Sequence, residues 1–348
     1  MPNAMMLAVS RMTGIAARLS MKGTCCAERE GAPLKSAPRT AIDHYSQISA
    51  LLDAELADKS PDGRIPRAVL GRYVRNVNYF GENWLRANMR QLFPSDYPML
   101  RDAAWSGHLL NDAGPLSSIM PGLVQSYEDE IGRLSQTETN DEKFHRANRL
   151  SEYLVILFVH GVVPIELMER FWKAASDRLR QHAMWFLGHL ILAAKDIEPK
   201  ALDRARSYWD MRFATAQAAN DKGPFEKEIG AIGQWMHAKG IDDEWLAAQL
   251  LRVVRAGIEP NNGYFVIEWL GKRAPTDPDG AIETVAALLA IPNIEPFVYV
   301  TYRESLRTIL VEGREKGSPA TVDRVNEIVN RLASHGESGY LDLLTPRP

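Results

Sequence analysis

The 348-residue sequence has little cysteine and no long apolar run, and both features restrict the possible folds. The two cysteines, Cys25 and Cys26, are adjacent, so they cannot cross-link distant segments, and no CxxC pair offers a zinc site. The stretch LVILFVHGVVPIEL is interrupted by His160, Gly161 and Pro164, whereas a transmembrane helix needs about 20 consecutive apolar residues. The sequence therefore predicts neither a disulfide framework nor a membrane span, and its cysteine usage indicates a cytoplasmic protein.

The sequence also lacks a strong excess of charge of either sign. Its formal net charge is -3 and its pI is about 6.3, so the whole chain has no field that would attract nucleic acid or an anionic membrane. With 45% hydrophobic and 24% charged residues, the composition is that of an ordinary globular protein. The length allows one extended repeat domain or two globular domains.

Motifs that identify common catalytic sites are missing. The sequence contains no GxxxxGK(S/T), GxGxxG, HExxH, GxSxG or SxxK motif. Glu142 and His145 form one Glu-x-x-His pair, but a di-iron bundle needs two such pairs and further glutamates. His182 and His189 are about 10 Å apart along a helix, which is too far for one metal ion. We therefore predict no catalytic residue, no cofactor and no metal site; Glu142 and His145 are expected at the solvated start of a helix, and His182 and His189 are expected to pack against neighbouring helices.

What the sequence does contain is a helical pattern from Thr40 onward. Apolar residues recur at helical spacing between short Gly- and Pro-containing loops, and no stretch alternates as a strand would. The pattern predicts an all-α fold of about fifteen helices, arranged as a helical-hairpin repeat array of the HEAT/TPR-like α-solenoid type. One internal echo supports repeats, because Trp235 and Trp269 are 34 residues apart and each precedes a turn with paired Asp residues. Asp242, Asp243 and Glu244 in the first of these turns match a helix-capping pattern.

Composition divides the chain into three predicted parts. Residues 1–40 hold six Lys or Arg against two acids and are expected to be a basic, disordered leader; a targeting signal or an upstream start codon are the alternatives. The polar loop SQTETNDEK at 135–143 is predicted to separate an N-terminal helical lobe (41–134) from a C-terminal helical-repeat lobe (144–345). The apolar stretch 150–195 is expected to form three packed helices near the centre of the array.

An arginine-rich segment, 64–93, is the clearest candidate for a binding surface. It carries six arginines and a single acid, Glu82, with aromatic residues between them, on two predicted helices, Arg67–Val77 and Phe80–Leu92. Arginine contacts phosphate and aromatic rings stack on bases, so the segment suits nucleic acid; a protein partner and an ordinary amphipathic helix pair are the alternatives. The candidate macromolecule-binding residues are Arg64, Arg67, Arg72, Arg75, Arg86, Arg90, Tyr73 and Trp84. The tryptophans in general are expected to pack between helices.

Several segments together resemble a known family. They are FHRANRLSEYLVILFVHG (144–161), LMERFWKAA (167–175), RLRQHAMWFLGHLI, IGQWMHAKGIDDEWLAAQL and the closing DRVNEIVNRLASHGESGYLDLL. Over about residues 65–345 the chain resembles the helical C-terminal region of large multidomain bacterial proteins with a SIR2-like or STAND-type NTPase effector, which are implicated in anti-phage defence. The resemblance implies a sensor or scaffold. Because the chain lacks the effector and NTPase modules, it also implies a remnant, a split gene or a partner subunit of a separately encoded NTPase or nuclease.

These observations predict a non-enzymatic helical-repeat scaffold or sensor module that binds another macromolecule. A protein partner is the first hypothesis, because helical arrays present large ordered surfaces without a reactive centre. Nucleic-acid binding through residues 64–93 is the alternative. A third hypothesis, an enzyme whose site follows no recognised motif, is kept because helical pockets can be built from residues without a sequence pattern.

Overall fold

The structure is a computed structural model that describes residues 42, 46–110, 120–134, 141–194, 197–238, 240–292 and 302–344. The predicted leader, with Cys25 and Cys26, and residues 135–140 of the predicted polar loop lie outside the described residues. Within the described ranges the chain is helical and contains no strand, which confirms the predicted all-α class. These ranges hold sixteen α-helices, close to the predicted number.

The chain divides into two compact units, Met1–Ala175 and Ser176–Pro348. The helices of the first unit are α1 (Ser46–Ala57), α2 (Arg64–Arg72), α3 (Val74–Phe80), α4 (Glu82–Leu92), α5 (Pro98–Leu109), α6 (Met120–Ile131), α7 (Asp141–Val159) and α8 (Ile165–Ala174). The helices of the second unit are α9 (Asp177–Ala193), α10 (Pro199–Ala218), α11 (Gly223–Gly230), α12 (Asp243–Arg255), α13 (Gly263–Arg273), α14 (Pro278–Leu289), α15 (Arg303–Lys316) and α16 (Pro319–Ser334). Short 3-10 segments occur at Pro61–Gly63, Ala231–His237 and Ser338–Leu344.

The division between the units differs from the predicted boundary at 135–143. It falls inside the stretch 150–195, which the sequence suggested was one packed centre. Helix α7 packs against α5 in the first unit, where the Tyr153 hydroxyl donates a hydrogen bond to the His108 carbonyl at 3.0 Å. Ser176 then caps α9 by accepting the Leu179 N–H, and this helix begins the second unit. Helices α7 and α8 therefore belong with the N-terminal helices.

In the first unit, α2 and α5 cross with their backbones in direct contact. A Cβ atom added at Gly71 would lie 2.1 Å from the Ala104 carbonyl oxygen, and one added at Gly107 would lie 1.9 Å from the Ala68 carbonyl oxygen. Each helix thus presents an alanine and a glycine, one turn apart, to the other. No larger residue fits at either glycine unless the helices separate, because both contacts are to backbone atoms.

A buried polar cluster lies beside this crossing. His108 and Tyr127 share a hydrogen bond of 2.9 Å, and Trp105 packs edge-on against both rings. Burial lowers the pKa of His108 to about 4, so this imidazole is neutral at physiological pH. Tyr127 is 0% exposed. Burial raises its pKa well above the ordinary value.

Glu130 lies on the same helix, and its side chain is buried as well. Its carboxylate lies 2.6 Å from Arg146 Nη2 and 3.0 Å from Arg133 Nη1, so the charge is compensated by ion pairs. The Arg146 pair connects α6 to α7.

In the second unit, consecutive helical hairpins contact one another. Helix α11 with its following 3-10 segment, helix α13 and helix α15 are the first helices of three hairpins, and they begin at Gly223, Gly263 and Arg303, forty residues apart each time. The first helices contact their neighbours in the order α9, α11 with the 3-10 segment, α13, α15. Among the second helices, α12 contacts α14 and α14 contacts α16.

The sequence echo between Trp235 and Trp269 maps onto two of these hairpins. Both rings are buried in first helices, and both turns that follow end in an aspartate that caps the second helix. Asp242 accepts the Glu244 N–H at 2.9 Å, and Asp277 accepts the Gly280 N–H at 3.0 Å. The predicted capping role of the acids at 242–244 is confirmed for Asp242.

One buried ion pair holds α10 against α11. Arg212 Nε and Nη2 lie 2.5 Å and 2.8 Å from the two carboxylate oxygens of Glu228, whose side chain is fully buried. Phe225 lies under both Arg180 and Arg212, with each guanidinium 5.6 Å from the ring centroid. A buried charge of this kind is tolerated only while its partner is in place.

Candidate macromolecule-binding surfaces

Arg67 is buried in the first unit, which removes it from the predicted binding surface. Its side chain is 0% exposed, and its guanidinium donates hydrogen bonds to four backbone carbonyls. The acceptors are Leu56 (2.5 Å), Asp58 (2.9 Å), Gly63 (2.9 Å) and Gln91 (3.2 Å). Arg67 therefore ties together three separate segments of the backbone, and it stabilises the fold instead of contacting a partner.

The aromatic candidates are also less available than predicted. Trp84 is buried, and its Nε1 donates a hydrogen bond of 2.8 Å to the Asp53 carboxylate. Tyr73 is half-buried and lies between α2 and α3, where its backbone angles (φ -101°, ψ 19°) leave the helical region. The single predicted helix Arg67–Val77 is therefore two helices, and Arg75 does not share a helix with Arg67 and Arg72.

Five of the six candidate arginines are exposed: Arg64, Arg72, Arg75, Arg86 and Arg90. Arg86 pairs with Glu82 at 2.8 Å, and the Arg72 guanidinium lies 5.9 Å from the centroid of the Tyr73 ring. Among the residues that the structure describes, neither Arg75 nor Arg90 forms an ion pair. This exposed arginine surface keeps a local excess of positive charge.

A second exposed surface lies on α9, and it includes histidines and a tryptophan that the sequence predicted to pack between helices. The Trp185 face consists of His182, Trp185, His189 and Leu192. Trp185 is 40% exposed and Leu192 is 38% exposed, and His189 is exposed as well. The prediction that His189 and Trp185 pack between helices is therefore corrected, whereas His182 is half-buried.

The rings of the Trp185 face are stacked along the helix. The centroids of Trp185 and His189 are 5.5 Å apart with planes only 8° from parallel, and those of His182 and Trp185 are 5.6 Å apart at 32°. Residues three and four apart on a helix share a face, so this stack follows directly from the sequence spacing. With one imidazole on either side, the indole ring is held in place before any partner arrives.

Helix α9 turns this face outward because its opposite face is fixed against α11 and the 3-10 segment Ala231–His237. Gly188 lies so close to Trp235 that an added Cβ atom would be 2.7 Å from Trp235 Nε1. The buried residues of α9 are Leu179, Ala183, Met184, Leu187, Gly188 and Ile191. The helix is apolar on both faces, so periodicity alone could not distinguish the exposed tryptophan from a core residue. The separation of His182, Trp185, His189 and Leu192 by three, four and three residues is the signal that marks them as one stripe.

No three His, Cys, Asp or Glu side chains within the described ranges are grouped closely enough to hold a metal ion. None of the helices described is both long enough and apolar enough to cross a bilayer.

Comparisons with known proteins supply no function that could be carried over to this chain. No protein-family model matches it, no curated protein matches it, and no solved structure matches it.

Proposed function

We propose that the chain is a non-enzymatic scaffold or sensor that binds another protein, and that the Trp185 face is the main contact. The observation that carries this proposal is the exposed indole of Trp185, stacked between two imidazoles and next to the exposed Leu192. Tryptophan is enriched among the residues that dominate protein–protein binding energy, because a large rigid ring loses little conformational freedom on binding. The partner would present apolar or aromatic side chains to this ring.

We further propose that the second unit is a helical-hairpin repeat array of the HEAT/TPR-like α-solenoid type. The forty-residue spacing of its first helices and their contacts in sequence order support this arrangement. Repeat arrays build an extended surface from neighbouring hairpins, each of which buries its apolar face on the next. Such a surface suits recognition of a protein more than it suits chemistry at one point.

A photo-crosslinking experiment tests the Trp185 face. A photoreactive phenylalanine analogue replaces Leu192 in the full chain, and crosslinking is carried out in the producing cells. We expect a discrete crosslinked protein whose yield falls on the order of tenfold when Trp185→Ala is added, because a central tryptophan contributes about 2 kcal/mol or more to binding.

The matched control carries the same analogue at Leu341, which is similarly exposed, at 44%, in the same unit. It should not give the same crosslinked protein. Equal crosslinking from both positions, or a yield that Trp185→Ala leaves unchanged, would contradict the proposed contact. Circular dichroism of the Trp185→Ala variant checks that the helices are intact.

The resemblance to defence proteins suggests which partner to expect. We propose that the partner is a separately encoded NTPase or nuclease of a bacterial defence system and that the complex acts in the cytoplasm. Mass-spectrometric identification of the protein crosslinked at position 192 tests this proposal. A crosslinked protein with neither activity would contradict it without affecting the proposed contact.

A second candidate function, nucleic-acid binding, is supported by the exposed arginine surface of the first unit. Arg75 and Arg90 are exposed and, within the described part of the chain, have no carboxylate partner. Titration of labelled DNA and RNA across a salt series tests this candidate. The combined change Arg75→Glu and Arg90→Glu should abolish binding, and each neutralised phosphate contact should contribute a slope of about 0.9 in log affinity against log salt for duplex DNA.

The matched control for this titration is Arg324→Glu, which reverses the charge of an exposed arginine that is already paired with Glu327. Equal loss of binding in the control would mean that only net charge matters. The absence of binding at low salt would exclude the nucleic-acid function.

A further inference from the structure

A cleft in the second unit has the chemistry to bind a positively charged side chain. It encloses about 600 Å³ between Glu226 and Lys227 of α11, the strap 259–262 that precedes α13, and the tyrosines Tyr264 and Tyr302. It lies apart from the residues of the Trp185 face, none of which lines it. Four features of the cleft matter: its floor, its aromatic wall, its charge and its helix end.

The floor of the cleft is fixed by hydrogen bonds from Asn261 to the backbone of α11. The Asn261 N–H donates to the Gly230 carbonyl at 2.6 Å, and Asn261 Nδ2 donates to the Lys227 carbonyl at 3.2 Å. A Cβ atom at Gly233 would lie 1.7 Å from the Asn261 carbonyl oxygen, so the strap can lie on the helix only because this residue is glycine. The strap is therefore held in one position before any ligand binds.

The wall of the cleft is a pair of tyrosine rings. The centroids of Tyr264 and Tyr302 are 4.6 Å apart, with planes tilted by 38°, and Tyr264 is 43% exposed. A hydrogen bond to Glu268 raises the pKa of the Tyr264 hydroxyl above its ordinary value. Exposed aromatic faces within reach of carboxylates attract a cation through the ring quadrupole.

The charge of the lining favours a cation. Glu226 and Glu259 contribute two carboxylates, against one ammonium group on Lys227. Helix α13 also begins at the cleft, and its positive end is equivalent to about half an elementary charge. This contribution is too small to offset the excess carboxylate, so the lining is negative overall. A planar guanidinium suits such a site better than an ammonium, because it stacks on tyrosine and donates to a carboxylate at the same time.

We propose that this cleft binds the guanidinium group of an arginine side chain, presented by a partner protein. Stacking on Tyr302 and Tyr264 would hold the planar group, and Glu226 would accept hydrogen bonds from it. The proposal rests on the proposed function only in naming a protein as the source of the arginine. The cleft chemistry stands on its own residues.

Isothermal titration calorimetry of the full chain tests the proposal with small probes. N-acetyl-arginine methylamide should bind, and the citrulline analogue, which has the same shape but no charge, should bind about tenfold more weakly. The variants Glu226→Gln and Tyr302→Leu should each weaken arginine binding on the order of fivefold. Asp323→Asn, an exposed acid outside the cleft, provides the matched charge control and should have no effect.

Equal binding of the arginine and citrulline analogues would overturn the proposal, and so would arginine binding that is the same in Glu226→Gln, Tyr302→Leu and the control. Failure of the arginine probe to bind up to its solubility limit would also overturn it. An arginine-containing peptide that binds more tightly than the free probe would identify a protein as the source. Trp185→Ala should leave every titration unchanged, so a failure here and a failure of the proposed function can be told apart.

Discussion

Buried polar side chains hold the first unit together by joining segments that are distant in sequence. Arg67 satisfies four backbone carbonyls, and His108 connects α5 to α6 through Tyr127. Burying such groups is favourable only while their partners are present, because an unpaired buried donor or charge loses its hydration without compensation. These residues therefore make the free energy of unfolding depend on solution conditions such as pH, which do not change the packing of the apolar core.

His108 should make the stability of the protein depend on pH. Its folded-state pKa of about 4 lies below the ordinary value of 6.5, so the unfolded state binds the extra proton between these two values. The stabilising contribution is fully present above pH 6.5 and is lost as the pH falls toward 4. Across that range we expect the free energy of unfolding to fall by about 3 kcal/mol, measured by urea unfolding at a series of pH values.

The control for this measurement is His108→Gln, which keeps a polar side chain but does not titrate in this range. The variant should show a flatter pH dependence between pH 6.5 and 4 than the unaltered protein. If both proteins lost the same free energy, the pH dependence would have to come from other groups.

In the first unit, helices α2 and α5 are positioned by the close approach of their backbones. The α2–α5 crossing puts glycine against a carbonyl on both sides, and this contact leaves no room for a methyl group. In most exposed helical positions the opposite holds, since alanine stabilises a helix relative to glycine by about 1 kcal/mol. A glycine-to-alanine substitution should therefore destabilise the protein at the crossing and stabilise it at an exposed helical position, and the two changes in the free energy of unfolding can be compared directly.

Gly71→Ala and Gly107→Ala should each lower the free energy of unfolding by about 2 kcal/mol or more, because α2 and α5 must move apart to admit a side chain. Gly122→Ala is the matched control on α6, where an added Cβ atom would lie 3.6 Å from its nearest neighbours, an ordinary contact distance. This variant should be unchanged or more stable by about 0.5–1 kcal/mol. Chemical denaturation measures all three, and a stabilised Gly107→Ala would rule out the close approach.

The sequence predicts helices better than it predicts which helix face is buried. The absence of alternating stretches indicates the all-α class, and the acid at 242 marks a helix cap, as the structure confirms. Arg67 could not be recognised as buried, because its acceptors are backbone carbonyls that leave no mark in the sequence. Trp185 could not be recognised as exposed, because α9 itself carries apolar residues on both of its faces. In each case tertiary packing, not local spacing, decides where the side chain lies.

At the scale of the whole molecule, the division at Ala175 and Ser176 separates two cores. Each unit has its own buried aromatic residues, such as Trp105 in the first and Trp209 in the second. Each also has its own buried ion pairs, centred on Glu130 and on Glu228. A core that contains its own apolar residues and charge partners meets the requirements of a folding unit.

Residues 1–175 and 176–348, produced separately, should each be helical and unfold cooperatively in urea. The control is a second pair of fragments, cut within α9 between residues 185 and 186. This cut removes Leu179, Ala183 and Met184 from the second core. The fragment 186–348 should unfold at a lower urea concentration and less cooperatively than 176–348, as followed by circular dichroism. If the two cuts gave fragments of equal stability, the division at residue 175 would not correspond to a folding boundary.

The α2–α5 crossing also corresponds to a sequence pattern that can be looked for in other proteins. Its four small residues form the pattern Ala-x-x-Gly twice, at Ala68–Gly71 and Ala104–Gly107, with the second copy 36 residues after the first. Substitutions elsewhere can accumulate while the helices keep their shape, but Gly71 and Gly107 must be kept for the backbones to touch. A pair of small-residue motifs at this separation, within an otherwise divergent helical sequence, would therefore identify descendants of the same ancestral domain.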